Sequence, residues 1–290
     1  MLASATQTPG ISDWSFDPAL ALMILAALLY WAGDTRKLAP ARVRVERRWQ
    51  SVSFYCGLAV LAVALNSPLD ALSQSLFWAH MVQHVLLLLV APPLIVLARP
   101  WIRLWRSLPL SWRRPIARAL GTQHRTTWLR RISRALGRPA PSFVLFCGAL
   151  VAWHVPVLFD ATLRYEALHA LEHSLFFGTA LLFWKQVIHS PPLHARLEAA
   201  QRIAYVIGAM VLSWGLAVVL ALAPHPLYAH YAHEISRPGG LSALGDQQIA
   251  AGIMWVPGSI TFVIVIFVYV HRWLTPASVP VTASRLAGEH

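Results

Sequence analysis

Ser73–Leu97 reads SQSLFWAHMVQHVLLLLVAPPLIVL. The run is apolar enough and long enough to cross a bilayer, yet it carries His80, His84 and the double proline Pro92–Pro93. Residues at i and i+4 share a helix face. Two imidazoles on one face of an intramembrane helix are costly unless they bind something or pair with something. The prolines free carbonyls one turn back, which predicts a kink or a local opening of this helix.

The composition around this run agrees with it. The chain has 290 residues, 57% hydrophobic and 12% charged, with a mean hydropathy of +0.54. Soluble domains carry about 25% charged residues, so this is an integral membrane protein with an all-α fold. No polar, domain-sized interval separates the apolar segments, and residues 1–290 read as a single membrane domain. The net charge of +12 would point to nucleic acid in a soluble protein. Here the basic residues lie between apolar segments, where anionic membrane lipid and topology account for them, and no nucleic-acid partner is expected. Two cysteines without a CxxC give no disulfide framework, and Cys56 and Cys147 read as small core residues. No Lys or Arg precedes the first apolar run, so a cleaved signal peptide is not expected.

Seven segments read as membrane spans: Pro18–Trp31, Trp49–Leu65, Ser73–Leu97, Ser142–Phe159, Ala167–Ile188, Arg202–Ala223 and Gln248–His271. With seven spans, 22 of the 24 Lys and Arg fall on one side, leaving only Arg164 and Arg237 opposite. The positive-inside rule then puts the N-terminus outside and the C-terminus in the cytoplasm of a multi-pass protein of the bacterial cytoplasmic (inner) membrane. The cytoplasmic connection 98–138 holds eleven arginines. Trp128, Leu129, Ile132 and Leu136 share one helical face with arginines largely opposite, which predicts interfacial amphipathic helices on the anionic leaflet. Residues 276–290 read as a flexible tail. Pro156 and Pro257 should interrupt the fourth and seventh spans.

Direction along the spans sorts the polar residues. His80, His84, His154, His169 and His173, from three spans, share the outer half of the membrane, with Met254 at similar depth. These are the candidate metal ligands, with Met81 offering a further soft sulfur. The other reading is a hydrogen-bond network between helices. Asp160 and Asp246 stand at outer edges where either could orient a ligating imidazole. Asp70 reads as a cap of the third span. His230 and His233 hang in the outer loop above. Glu172 lies within His169-Ala170-Leu171-Glu172-His173, a literal HxxEH, the pattern of zinc hydrolases in which two His bind metal and Glu activates water. A His from the third span and one from the fifth could instead give a haem two axial ligands.

Several stretches, taken in order, carry a family resemblance. They are Asn66-Ser67-Pro68-Leu69-Asp70, His80-Met81-Val82-Gln83-His84 with Ala91-Pro92-Pro93-Leu94, and Trp153-His154-Val155-Pro156. His169 to His173, Pro226-Leu227-Tyr228, Asp246-Gln247-Gln248 and Met254-Trp255-Val256-Pro257-Gly258 follow. The chain resembles the CtaG-like, caa3-type family of cytochrome c oxidase assembly factors from about Asn66 to Gly258. It departs from the pattern at Ala98, where glycine is expected, and at Ala229, where proline is expected. The resemblance implies a multispan assembly factor, rather than an enzyme, that helps supply copper to a haem–copper oxidase. The expected cargo is Cu(I), with haem and zinc as alternatives. Expected partners are oxidase subunits and a periplasmic copper chaperone.

Overall fold

A computed structural model describes residues 14–15, 18–34, 41–121, 127–192, 195–234 and 237–275. The expected tail 276–290 lies outside these. α1 (Pro18–Asp34) and α2 (Ala41–Asn66) lead into a short helix, α3 (Pro68–Ser73), where the Leu69 N–H donates to the side chain of Ser67. α4 (Phe77–Val85) passes through a π-helical turn, Leu86–Val90, into α5 (Ala91–Leu97). The arginine-rich connection folds as α6 (Trp101–Ser107), α7 (Leu110–Gly121) and α8 (Thr127–Leu136). Then come α9 (Pro139–Trp153), α10 (Pro156–Arg164), α11 (Glu166–Val187), α12 (Ala199–Leu222), α13 (Ala229–His233) and α14 (Ala243–Leu274).

Four of these units are long and apolar enough to cross a membrane: Val43–Asn66, Phe77–Leu97, α12 and α14. The pair α9 and α10 makes a fifth if its 76° bend lies within one span. The chain is a helical membrane protein. The other two expected spans differ for physical reasons. α1 has 17 residues, about 26 Å of helix against a hydrocarbon core of about 30 Å. α11 has 22 residues but includes Glu166, His169, Glu172, His173 and Lys185.

Lipid tails are as apolar as leucine, so packing and interhelical hydrogen bonds must hold such a bundle. Ser53 Oγ donates to the Leu94 carbonyl at 2.7 Å, tying α2 to α5. The two helices approach closely at Gly57, where a β-carbon would stand 2.7 Å from Ile95 Cγ1. Gln83 Nε2 donates to the Ala64 carbonyl (2.7 Å) and to Asp70 Oδ1 (2.9 Å), fixing α4 on α2 and α3. Trp214 Nε1 donates to Ser259 Oγ at 2.6 Å between α12 and α14. Arg103 of α6 is buried, with its guanidinium donating to Tyr30 Oη, Ser51 Oγ, Gln50 Oε1 and the Arg47 carbonyl.

Of the prolines expected to disturb membrane spans, all but Pro257 act as their chemistry requires. The Ala91 N–H reaches back to the Leu86 carbonyl, a π-type bond. The Leu88 carbonyl would take an α-type bond from residue 92 or a π-type bond from residue 93, and both are proline, without an N–H. Trp184 Nε1 of α11 donates to it instead, at 2.8 Å. Pro156 starts α10 after the 76° turn. Pro257, by contrast, is carried inside a continuous α14.

The bundle has two distinct ends. At one end, the Asp246 carboxylate of α14 accepts the Phe77 and Trp78 N–H groups that open α4, each at 2.9 Å. At the other, Tyr269 Oη donates to the Val187 carbonyl at the end of α11, and Arg202 at the start of α12 donates to Tyr269 Oη. The arginine-bearing helices α7 and α8 expose Leu110, Trp112, Trp128 and Ile132, the amphipathic composition expected of interfacial helices.

Candidate metal centre

α4 and α11 face each other across the site. His80 and His84 lie one turn apart and meet edge to face, ring centroids 4.4 Å from each other, both buried. α11 contributes Glu172, fully buried, and His173. One ligand-capable atom from each of His80, His84, Glu172 and His173 lies within 4.8 Å of the others. Glu172 Oε1 is 3.5 Å from His84 Nε2, and its Oε2 is 3.8 Å from His80 Nε2.

Hydrogen bonds around the group decide which nitrogens face it. Tyr231 Oη donates to the Ser73 carbonyl at 2.5 Å, so its lone pairs are left for His80 Nδ1, 3.0 Å away. The His80 proton therefore sits on Nδ1, and Nε2 presents a lone pair to the site. Burial pushes the Tyr231 phenol well above its usual range, so it keeps its proton. His154 is set the same way, with Nδ1–H donating to the Leu150 carbonyl at 2.7 Å and Nε2 left without a partner. The buried atoms without a hydrogen-bond partner include His80 Nε2, both nitrogens of His84, His173 Nε2 and both oxygens of Glu172. Buried polar atoms are almost always bonded, so this many orphans at one point fit an absent positive centre. Three imidazoles and a carboxylate are ligands for zinc or copper.

The other expected ligands lie around this group. The His169 ring is 4.1 Å from His173 and 5.3 Å from His80, with Nε2 unpartnered, outside the four-residue group. The His154 ring is 6.1 Å from His84. Met81, His84, His154 and Met254 are among the residues lining a cavity of about 20 Å³, room for about one water-sized sphere. His84 thus belongs both to the carboxylate-bearing group and to the wall of this small cavity, which Met81 and Met254 also line.

Other expected roles are corrected. The carboxylates of Asp246 and Asp160 accept from backbone N–H groups. Asp246 caps α4, the role expected of Asp70, and Asp160 accepts the backbone N–H groups of Ala229 and His230 at the start of α13. Exposed helix N–H groups compete for nearby carboxylates, and both acids were nearer to such groups. Asp70 accepts from Gln83. His230 Nε2 meets the Gln74 carbonyl and His233 Nδ1 the Ala229 carbonyl, so both loop histidines serve local contacts. Cys147 is buried as expected, but Cys56 is exposed on α2.

Three contributors carried no signal in spacing. Tyr231, Tyr228 and Phe159 roof the site from α13 and α10. Tyr228 Oη donates to the His154 carbonyl at 3.1 Å, freed by the break before Pro156. Phe159 packs on His80 at 4.9 Å and on Tyr228 at 4.3 Å, brought there by the 76° turn. The Pro226-Leu227-Tyr228 and Trp153-His154-Val155-Pro156 motifs marked this neighbourhood without assigning these residues a role.

Comparison with known proteins gives one family and a few distant relatives. Residues 28–275 match the family described as cytochrome c oxidase caa3 assembly factor. Uncharacterized proteins of Mycobacterium bovis and Mycobacterium tuberculosis are each 27% identical over 269 residues, 91% of this chain and 40% of the relative. One from Mycobacterium leprae is 24% identical over 266 residues, 90% of this chain and 39% of the relative. The chain thus spans about 40% of the length of the curated relatives it matches. No solved structure matches.

Proposed function

We propose, from the premise that this chain belongs to the cytochrome c oxidase caa3 assembly factor family, that it binds a copper ion as cargo and hands it to a haem–copper oxidase. The observation that carries this reading is the convergence of unpartnered, buried ligand atoms on His80, His84, His173 and Glu172. His154 and Met254, with Met81, would serve the ion on its way in or out, and His169 would stand beside the main group. Tyr231 would hold His80 Nε2 toward the metal. Cu(I) accepts imidazole and thioether, whereas a carboxylate suits Cu(II) or zinc better. The group and the adjoining cavity together offer imidazole, carboxylate and thioether, which fits an ion that changes its coordination as it moves.

In this reading the chain crosses the bacterial inner membrane seven times, N-terminus outside. α1 crosses with local thinning of the bilayer, and α11 crosses because Glu172 and His173 face the interior, away from lipid. The site then lies in the outer half, where a periplasmic chaperone could deliver copper and an oxidase subunit could receive it. The literal HxxEH and the carboxylate in the group support a second reading, a zinc hydrolase. There, Glu172→Gln would abolish activity while leaving the metal bound. A haem would need the helices to part, since the adjoining cavity is about 20 Å³.

The deciding experiment is metal analysis and Cu(I) competition on purified protein beside a His80→Ala/His84→Ala double variant. Copper bound by the wild type and lost by the variant is the expected result. Wild-type protein without copper and unable to compete for Cu(I) would overturn the proposal.

A further inference from the structure

At the end of the bundle opposite the histidines, an open groove of about 440 Å³ runs between α5 and α14. Its apolar walls include Leu89, Pro93 and Leu97 on one side and Ile264, Val265 and Val268 on the other. Leu97, Ile264 and Val268 are exposed. The lower end of the same groove is lined by Arg99, His189, Arg202 and Arg272, and no Asp or Glu lines it. The groove thus changes character along its length, apolar first and basic last.

Its dimensions match one leaflet. From Thr261 to Arg272 along α14 is about 16 Å at 1.5 Å per residue, and half of a hydrocarbon core of about 30 Å is about 15 Å. The rim is held in place. Arg202 donates to Tyr269 Oη at 3.0 Å and to the Leu197 carbonyl at 2.8 Å, and its guanidinium lies 5.2 Å from the Tyr269 ring centroid. Arg99 is half-buried and pairs with Glu46 at 3.0 Å, so one of the three guanidinium charges is partly neutralised. Arg202 and Arg272 make no such ion pair among the described residues. An uncharged amphiphile would leave this charge facing an apolar groove without a counter-ion. A soluble anion would leave the apolar walls unused.

We propose that this groove is a binding site for an anionic phospholipid, its acyl chain between α5 and α14 and its phosphate against Arg99, Arg202, Arg272 and His189. Basic recesses between transmembrane helices are suited to such head groups. The lipid would close the gap between α5, which continues the helix bearing His84, and α14, which bears Met254, binding the protein where its arginine-rich face meets the inner leaflet.

The test uses the full chain, delipidated in a neutral detergent, and native mass spectrometry with added phosphatidylglycerol or phosphatidylcholine of identical acyl chains. A third arm adds inorganic phosphate alone. Wild-type protein should retain phosphatidylglycerol about tenfold better than phosphatidylcholine. Phosphate alone should leave that retention unchanged. Arg99→Gln/Arg272→Gln should lose most of the preference. Arg272→Gln alone, at an exposed position outside every helix–helix contact named above, should lose part of it while melting as the wild type does in detergent. Equal retention of the two lipids by the wild type would overturn the proposal. So would an undiminished preference in the double variant, or displacement of phosphatidylglycerol by millimolar phosphate.

Discussion

Replacing Tyr231 with phenylalanine deletes one buried oxygen and strands two partners. The ring itself stays, still 5.3 Å from Phe77, so the loss is the hydroxyl alone. The Ser73 carbonyl, fully buried, loses its donor at 2.5 Å, and the His80 Nδ1–H loses its acceptor at 3.0 Å. A buried polar group left unsatisfied costs about 1–3 kcal/mol. His80 can recover part of its share by moving the proton to Nε2, which places the total near 2–3 kcal/mol. That recovery removes the lone pair that faced Glu172 and the proposed metal. Loss of a partner that orients a ligating imidazole costs about 10–100-fold in metal affinity. Two measurements separate the effects. Equilibrium unfolding of the metal-free protein in detergent should report the stability loss. Cu(I) competition should report the affinity loss, with a lower metal-induced stabilisation in the variant to match. A Tyr231→Phe protein that is destabilised yet binds copper with wild-type affinity would refute the idea that Tyr231 sets the His80 tautomer.

Asp246→Ala should lower the unfolding free energy by about 2 kcal/mol, because two N–H groups at the start of α4 lose their acceptor. Asp246→Asn, which keeps one carbonyl oxygen, should lose less, and equal melting of both variants with the wild type would count against this cap. Trp184→Phe should cost about 1–3 kcal/mol by stranding the Leu88 carbonyl, measured by thermal melting in detergent. Arg103→Ala should loosen α6 from α1 and α2, since four acceptors lose one guanidinium. Arg103→Lys should fail to restore it, because a point-like ammonium cannot reproduce the fork. Limited proteolysis of the α6–α8 connection reads out both Arg103 variants.

The site was partly legible because cost in hydrocarbon is a local property. His80 and His84 could be singled out from a 25-residue window of sequence, since unpaired imidazoles there need a reason whatever surrounds them. Pro92–Pro93 likewise foretold an opened helix, since a missing N–H is a fact of residue type. Partner choice was not legible. Asp246 and Asp160 lie at the depth expected of residues that orient imidazoles, but depth does not say whether a helix N-terminus or a ring stands closer. Glu172 was noticed for its motif with His169 and His173, yet its carboxylate turns to His80 and His84 on another helix.

By itself the sequence determined that the chain lives in a membrane, and that histidines from several helices must satisfy each other or a ligand. Those conclusions rest on composition, periodicity and the energetic cost of polar groups in hydrocarbon, which act residue by residue. The tertiary structure decided which imidazoles form the group. It placed His173 and Glu172 opposite His80 and His84, set His154 and Met254 in the wall of an adjoining cavity, and brought Tyr231 from 151 residues away to fix a proton on His80. It also supplied Trp184 to the carbonyl that Pro92 and Pro93 had stranded. Contacts of that kind depend on how helices rotate and cross. Those angles are set by the packing of the whole bundle rather than by any one segment.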